Sequence, residues 1–393
     1  MEDFGSKNMI EKLIYLEWGY EYDNAIQKAW KDRGVEIIPY KLEKKLDEKI
    51  CSSMSELSKQ NLEKCIEDNR VNVIFSINFI SEISEICKRN DIFYYAWVLV
   101  LPNMDLFTAS IDNLCNRVGI CDSFLVERLW KRNTKNIFYI PDAIEKCHRV
   151  RKDFVRPCSY MQKLPFSYLD TPFGDRTKGL SENTMGYLTG VIHCQRVLYG
   201  ATMLEEILMG TAAEEFLAQY PLPDKILPEF HKLYVSEAYL SPEVTRLEQI
   251  IFLQNMSSGV DIEVFTNGHF KDCTNKQFPY PERLDERGDI YGSSIINLVQ
   301  AESNIHDAIP HQTLEIMASG NFVLTNYQKD YSYFFNQGED IVCFGDRVER
   351  VQLFNEYGTD ANKRERVIEA AYEKIQLAHT YTHRVEYMLS NWG

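Results

Sequence analysis

The chain has 393 residues, 45% hydrophobic and 26% charged, enough to bury several apolar layers. That excludes disordered, collagen-like and disulfide-stapled classes and sets an expectation of two to three domains. Against 43 Lys and Arg stand 58 Asp and Glu, a net charge of −15. Such a chain is a poor non-specific binder of nucleic acid or anionic membrane, so any bound phosphate needs a local site.

In chain order, residues 12–16 read as a first strand. Residues 22–34 follow as a helix, with Ala25, Ile26, Ala29 and Trp30 on one face and Gly34 as the stop. Strands at 35–40, 71–76 and 92–98 alternate with helices at 54–69 and 80–89. Strands at 117–121 and 136–140 flank a helix at 123–131. Near-continuous apolar strands separated by helices imply a parallel sheet covered on both faces.

Residues 146–180 are rich in Arg, Lys and Pro and read as an inter-domain crossing. Helices are expected at 185–199, 203–209, 212–220 and 241–256, an insert spanning 181–256. Alternation resumes with strands at 261–266 and 290–298, a helix at 311–319 closed by Gly320, strands at 322–325 and 340–344, and a long helix at 360–378. The expectation is an α/β chain of two Rossmann-like parallel-sheet domains facing a cleft. Their bounds are 1–150 and 151–380, with a helix in 381–393 returning to the first. The longest apolar run, 92–101, falls short of the ~20 residues of a membrane span. With no C-x-x-C pair and no leader-like start, a reduced, cytoplasmic, soluble protein is expected.

Chemistry concentrates in residues 308–326, where a loop enters a helix that ends in small residues before a buried strand. A helix start offers free N–H groups and a positive dipole end, suited to a diphosphate. Asp307 and Glu315, eight positions apart, match the paired-acid spacing of retaining glycosyltransferases, where the second acid holds the ribose. The plainer alternative is a crossover helix with an exposed glutamate.

Further stretches sharpen this: Tyr327-Gln328-Lys329-Asp330, Phe334-Phe335, Gly338-Glu339-Asp340 and His379 through Arg384. Together they resemble the glycosyltransferase-like domain of the CgeB (spore maturation) family. The N-terminal half resembles the domain that precedes it in clostridial-type members, through residues 73–79, Trp97-Val98, Pro102, 113–116 and 136–141. The insert matches at Gly190-Val191-Ile192 and Leu198-Tyr199-Gly200. The resemblance implies a GT-B fold, with nucleotide-sugar in the C-terminal domain and acceptor toward the N-terminal one. It puts donor binding at Lys163, His311, Gln312, Thr313, Glu315 and Asn326. On that assignment, Glu315→Ala is expected to weaken nucleotide binding more than tenfold with the fold intact.

The departures bear on activity. The family's Asp, a candidate acceptor-activating base, is Val100 here, and its two Arg positions are Ser303 and Gln312. Each lost fork removes a charge-assisted contact of roughly 1.5–3 kcal/mol. Lys163, Lys329, Arg246 and His311 are the replacement cations, though none but Arg246 offers a bidentate fork. No Asp-x-Asp motif occurs, and a GT-B transferase needs neither metal nor other cofactor, because dipoles and basic side chains stabilise the leaving diphosphate.

Lesser features have plainer readings. His193 reads as a packed or solvent-bridging residue. His379 and His383 have helical i, i+4 metal spacing without an acidic third ligand. Tyr331, Tyr333, Phe334 and Phe335 read as core rather than a sugar platform, and 347–350 as a solvated face. Two functions follow: a glycosyltransferase acting on a protein or surface-glycan acceptor, or a degenerate GT-B subunit serving a partner transferase. A sugar-phosphate epimerase has only the fold in its favour.

Overall fold

The computed structural model of the protein describes residues 10–42, 54–132, 135–163, 177–257, 261–268 and 276–391. Part of the expected crossing, 164–176, lies outside the described residues. The chain divides into two compact units, residues 1–145 with 378–393, and 146–377.

The first unit is built on β1 (Lys12–Glu17), β2 (Glu36–Lys41), β3 (Val73–Ile77), β4 (Phe93–Val98), β5 (Asn116–Ile120) and β6 (Ile137–Tyr139). They form one parallel sheet in the order β2-β1-β3-β4-β5-β6. β3 is buried along its whole length, as its unbroken apolar run requires. Helix Tyr381–Ser390 packs on this unit: Tyr381 meets Tyr22 and Trp97, each with ring centroids 6.1 Å apart.

The second unit holds β7 (Arg156–Gln162), β8 (Ile262–Thr266), β9 (Gln277–Phe278), β10 (Ser294–Val299), β11 (Val323–Asn326) and β12 (Cys343–Phe344). Its sheet is also parallel, in the order β12-β11-β10-β7-β8-β9. Alternate residues build one core face: Cys158 and Tyr160, Ile262 and Val264, Ile296 and Leu298, Phe322 and Leu324. Phe252, Leu253, Tyr357, Val367 and Ile368 cover it from the flanking helices. Two six-stranded parallel sheets flanked by helices are the α/β architecture expected from the alternation.

Several local expectations are corrected. The supposed crossing contains β7, which pairs with both β8 and β10. Its sequence, Arg-Pro-Cys-Ser-Tyr-Met-Gln, hides a strand because it lacks an apolar run and sets a polar Ser159 between the core residues Cys158 and Tyr160. Ser159 donates to Asn297 Oδ1 at 2.7 Å, a contact only the tertiary pairing supplies. Residues 203–209 form turns rather than a helix. The strand read at 290–298 begins as the end of helix Leu284–Gly292, and β10 starts at Ser294.

The run 347–350 is solvated at Val348 and half-buried at Arg347 and Glu349, but not at Arg350. It opens helix Arg347–Thr359, and Arg350 is buried with its guanidinium 4.4 Å from the Phe252 ring centroid. The His379/His383 spacing serves the fold. His383 Nδ1 accepts from Thr380 N at 3.3 Å in a capping box, and His379 Nδ1 lies 2.9 Å from Arg384 Nη2. Tyr331 and Phe335 are core, while Tyr333 is exposed.

At the start of helix Asp23–Asp32, the Tyr15 hydroxyl donates to buried Asp23 Oδ1 at 2.8 Å. Burial raises the Asp23 carboxyl from 3.8 to about 6. A raised acid pKa gives stability that is complete below the unfolded value and lost as pH climbs through the folded one. Asp23→Asn should therefore stabilise the chain at pH 7, by up to ~3 kcal/mol. The gain should vanish near pH 4, and urea unfolding at both pH values measures it. A variant weaker than the parent at pH 7 refutes the burial argument.

Candidate functional site

In the second sheet, β7 is followed by β8 on one side, and the chain later returns with β10 on the other. Connections leaving in opposite directions open a crevice beyond the carboxyl ends of these two strands. β7 ends at Gln162, whose Oε1 accepts from the Tyr160 hydroxyl at 2.6 Å. The next residue, Lys163, reaches Glu282 at 2.5 Å, with its ammonium 5.4 Å from the Tyr280 ring centroid.

Tyr280 faces a second cation, the Arg287 guanidinium at 6.0 Å. Arg287 is almost fully buried and donates to Glu315 Oε1 at 3.0 Å. Tyr291 hydroxyl donates to the other oxygen, Oε2, at 3.0 Å. Burial, then the Glu315 charge, pushes the Tyr291 phenol well above its ordinary pKa, so it stays a donor. His311 Nε2 lies 3.9 Å from Glu315 Oε1, one turn earlier on helix His311–Ala318. The result is one cluster: Lys163, Tyr280, Arg287, Tyr291, His311 and Glu315.

Three of the residues singled out in the sequence, Lys163, His311 and Glu315, thus stand together. Gln312 is half-buried in the same first turn. Thr313 turns inward: its hydroxyl lies 3.0 Å from that of Tyr331, and its N–H donates to Pro310 O at 2.9 Å. Asn326 ends β11, where its Oδ1 accepts from Ala301 N at 2.7 Å and holds the loop after β10. Asp307 is buried, with Oδ2 3.3 Å from Lys329 Nζ. Arg246 pairs with Glu243 at 2.5 Å, and Ser303 N donates to Thr245 Oγ1 at 2.8 Å.

Val100 belongs to the first unit, after β4. Asn78 Oδ1 accepts from Leu99 N and Val100 N at 3.0 Å each, and Asn78 Nδ2 donates to Val100 O at 2.7 Å. Asn78 does this at φ +60°, a left-handed conformation that asparagine tolerates better than most residues. The loop is fixed, with the Val100 side chain exposed.

Sequence reasoning missed Arg287, Tyr291 and Tyr280. Only the end of the helix that carries the first two, residues 290–292, was read as strand, its earlier turns were given no element, and a lone Arg in a charged segment gives no signal. Glu315, its side chain 9% exposed, is also not the exposed glutamate of the plainer alternative. Removing it takes the carboxylate partner from a buried guanidinium, so Glu315→Ala is expected to cost stability as well as nucleotide binding. Among the described residues, no three acidic, His or Cys side chains are arranged to hold a metal. No helix there is long and apolar enough to cross a membrane.

Two parallel sheets of this order define the chain as a GT-B fold, the architecture of many glycosyltransferases. Residues 251–390 match the family described as Glycosyl transferase-like, a segment that contains the whole Arg287–Glu315 pairing. Among solved structures, the lipopolysaccharide outer core galactosyltransferase WaaB superposes with TM-score 0.52 at 8% identity, covering 97% of this chain and 100% of its own. HepE of Anabaena, solved with UDP and glucose, gives TM-score 0.51 at 7% identity, covering 98% and 99%. A glycosyltransferase from Rickettsia africae gives TM-score 0.50 at 10% identity, covering 96% and 97%. No curated protein matches the sequence.

Proposed function

We propose that this chain is a CgeB-like, metal-independent glycosyltransferase that moves a sugar from a nucleotide-sugar to a protein or surface-glycan acceptor. The observation that carries the reading is the Glu315 carboxylate, held at 3.0 Å by both Arg287 and Tyr291 beside a helix start. It stands in the segment matched to the Glycosyl transferase-like family, beside the β7/β10 switch point.

In this reading Glu315 accepts from the ribose hydroxyls, because a carboxylate has lone pairs beyond those used by Arg287 and Tyr291. The first turn of helix His311–Ala318 faces the diphosphate. Lys163 is exposed, and its pair with Glu282 is exposed too. Such pairs are worth ~0–1 kcal/mol, so a diphosphate can take the lysine over.

Titration of UDP, GDP and CDP against the parent chain and Glu315→Gln tests the site. The amide keeps an acceptor for Arg287 while losing the charge. Nucleotide affinity is expected to drop more than tenfold, with turnover of the parent unaffected by EDTA. Equal affinity in parent and variant removes the assignment.

A second reading, a binding subunit of an active transferase, has its own support. Val100 replaces the family's acid, and Lys163, Lys329 and Arg246 each already face a carboxylate. Transfer by the isolated chain at an ordinary ~1–10³ s⁻¹ decides for the enzyme. Nucleotide binding without turnover, restored by Val100→Asp with Gln312→Arg, decides for the degenerate form.

A further inference from the structure

Where β10 and β11 begin, at the end of the second sheet away from the β7/β10 crevice, lies a cavity that nucleotide binding does not use. One wall belongs to the stretch 146–156, five Lys and Arg against one acid, which the sequence reads as part of a crossing. Backbone bonds pin that stretch in place. Val150 N donates to Ser319 O at 2.9 Å, Lys152 N to Gly292 O at 3.3 Å and Val155 N to Ser293 O at 3.0 Å. Gly292 permits the approach, because a Cβ there would come within 2.5 Å of Val150 O. Helix Ala361–Ala378 closes the far side. About 200 Å³ is open to water-sized groups, room for about fifteen of them at ~10–15 Å³ each.

Arg364, on that helix, lines the cavity with an unanswered charge. It is 5% exposed, its Nη1 donates to Tyr357 O at 2.6 Å, and its guanidinium lies 5.7 Å from the Phe154 ring centroid. Nε is buried without a hydrogen-bond partner, and among the described residues no carboxylate pairs with the guanidinium. Glu365 and Asp360 act on it only from a distance. Burial pulls its pKa down, yet an arginine in a protein stays charged. Arg287, by contrast, has the Glu315 carboxylate at 3.0 Å. A buried charge with no counter-charge is costly, so Arg364 calls for an anion from outside.

The geometry selects that anion. With Nη1 engaged, the free edge of the guanidinium is Nε with Nη2, two parallel donors that match two oxygens of a carboxylate or phosphate. Arg151 and Lys152 line the same cavity and add two charges, which favours a dianion over a monoanion. Both have partners already: Arg151 faces Glu365 at 2.9 Å and Glu369 at 3.0 Å, and Lys152 faces Asp289 at 2.6 Å. These pairs are close to half exposed and contribute little, so an entering anion can take the cations over.

We infer that this cavity binds a phosphate group, with the Nε/Nη2 edge of Arg364 on two of its oxygens and Arg151 and Lys152 beside the others. The ligand is inorganic phosphate or a small phosphate monoester. The inference does not rest on the glycosyl-transfer reading, and the site is separate from the Glu315 cluster.

The test uses the full chain with Arg364→Lys, Arg364→Met and Lys152→Ala. Phosphorus NMR and calorimetry titrate inorganic phosphate and glycerol phosphate at fixed ionic strength, with calorimetry of acetate as the carboxylate control. Saturating UDP is present throughout, to fill any nucleotide site. The parent should bind phosphate more tightly than acetate. Arg364→Lys keeps the charge without the fork and should lose about tenfold or more in affinity. Lys152→Ala, which removes one exposed cation, should lose only about threefold. Arg364→Met should show no binding, and phosphate should raise the melting temperature of the parent but not of this variant. Glycerol phosphate that binds as tightly as phosphate assigns the site to a monoester, and its exclusion assigns it to the free ion.

The inference is overturned if phosphate binds the parent no more tightly than acetate, or if UDP abolishes phosphate binding. Undiminished phosphate binding in Arg364→Met overturns it too. Should that variant not fold, undiminished binding in both Arg364→Lys and Lys152→Ala has the same force. Phosphate that binds while UDP does not leaves this inference standing and removes the Glu315 reading instead.

Discussion

Glu315→Ala is expected to lower unfolding stability by about 3–5 kcal/mol, well beyond a surface glutamate's contribution. The alanine takes the carboxylate from an almost fully buried Arg287, which keeps carbonyl acceptors such as Glu282 O at 3.2 Å, and takes from the Tyr291 hydroxyl its acceptor at 3.0 Å. Exchanging both partners, as Arg287→Met with Glu315→Leu, should recover most of that loss, because two apolar groups replace two desolvated charges. The double variant should still not bind nucleotide. Urea midpoints for the single and double variants, beside nucleotide titrations, separate the pair's structural role from its binding role. A double variant as unstable as Glu315→Ala refutes the buried-charge account.

Arg384→Met should cost about as much, for a different reason. Arg384 is the fastener between helix Tyr381–Ser390 and the rest of the first unit. Its Nε donates to Pro141 O at 2.8 Å, Nη1 to Ala378 O at 2.9 Å and Nη2 to Asp142 O at 3.0 Å. Burial pulls its pKa down to about 10, so it remains charged at neutral pH. Charge-assisted bonds of this kind are worth ~1.5–3 kcal/mol each, and methionine abandons all three carbonyls. A net loss of about 3–5 kcal/mol is expected, with earlier proteolysis within 378–391. Arg384→Lys should rescue only part of it, because a single ammonium cannot span three carbonyls fixed around a planar fork. Full rescue by lysine shows that charge alone, not the fork, holds the helix.

The sequence by itself determined the pattern that repeats along the chain. Apolar strands such as 73–77 alternate with helices whose apolar faces and stops follow local rules, so the parallel α/β architecture was legible. Helix His311–Ala318 and its glutamate were legible for the same reason, since capping, spacing and dipole are properties of adjacent residues.

What the tertiary structure alone decided are the elements whose partners are distant. β7 is a central strand although its own residues read as linker, because Ser159 is satisfied by Asn297, 138 positions away. Arg350, in a charged run, is buried because Phe252 and Phe344 offer it ring faces. Arg287 becomes part of the candidate site only because Glu315 lies 3.0 Å away, and neither residue carries a local mark of the other. Periodicity records which face of an element is buried. It does not record which polar group waits on that face, and that group decides whether a charge or an amide is core, fastener or site.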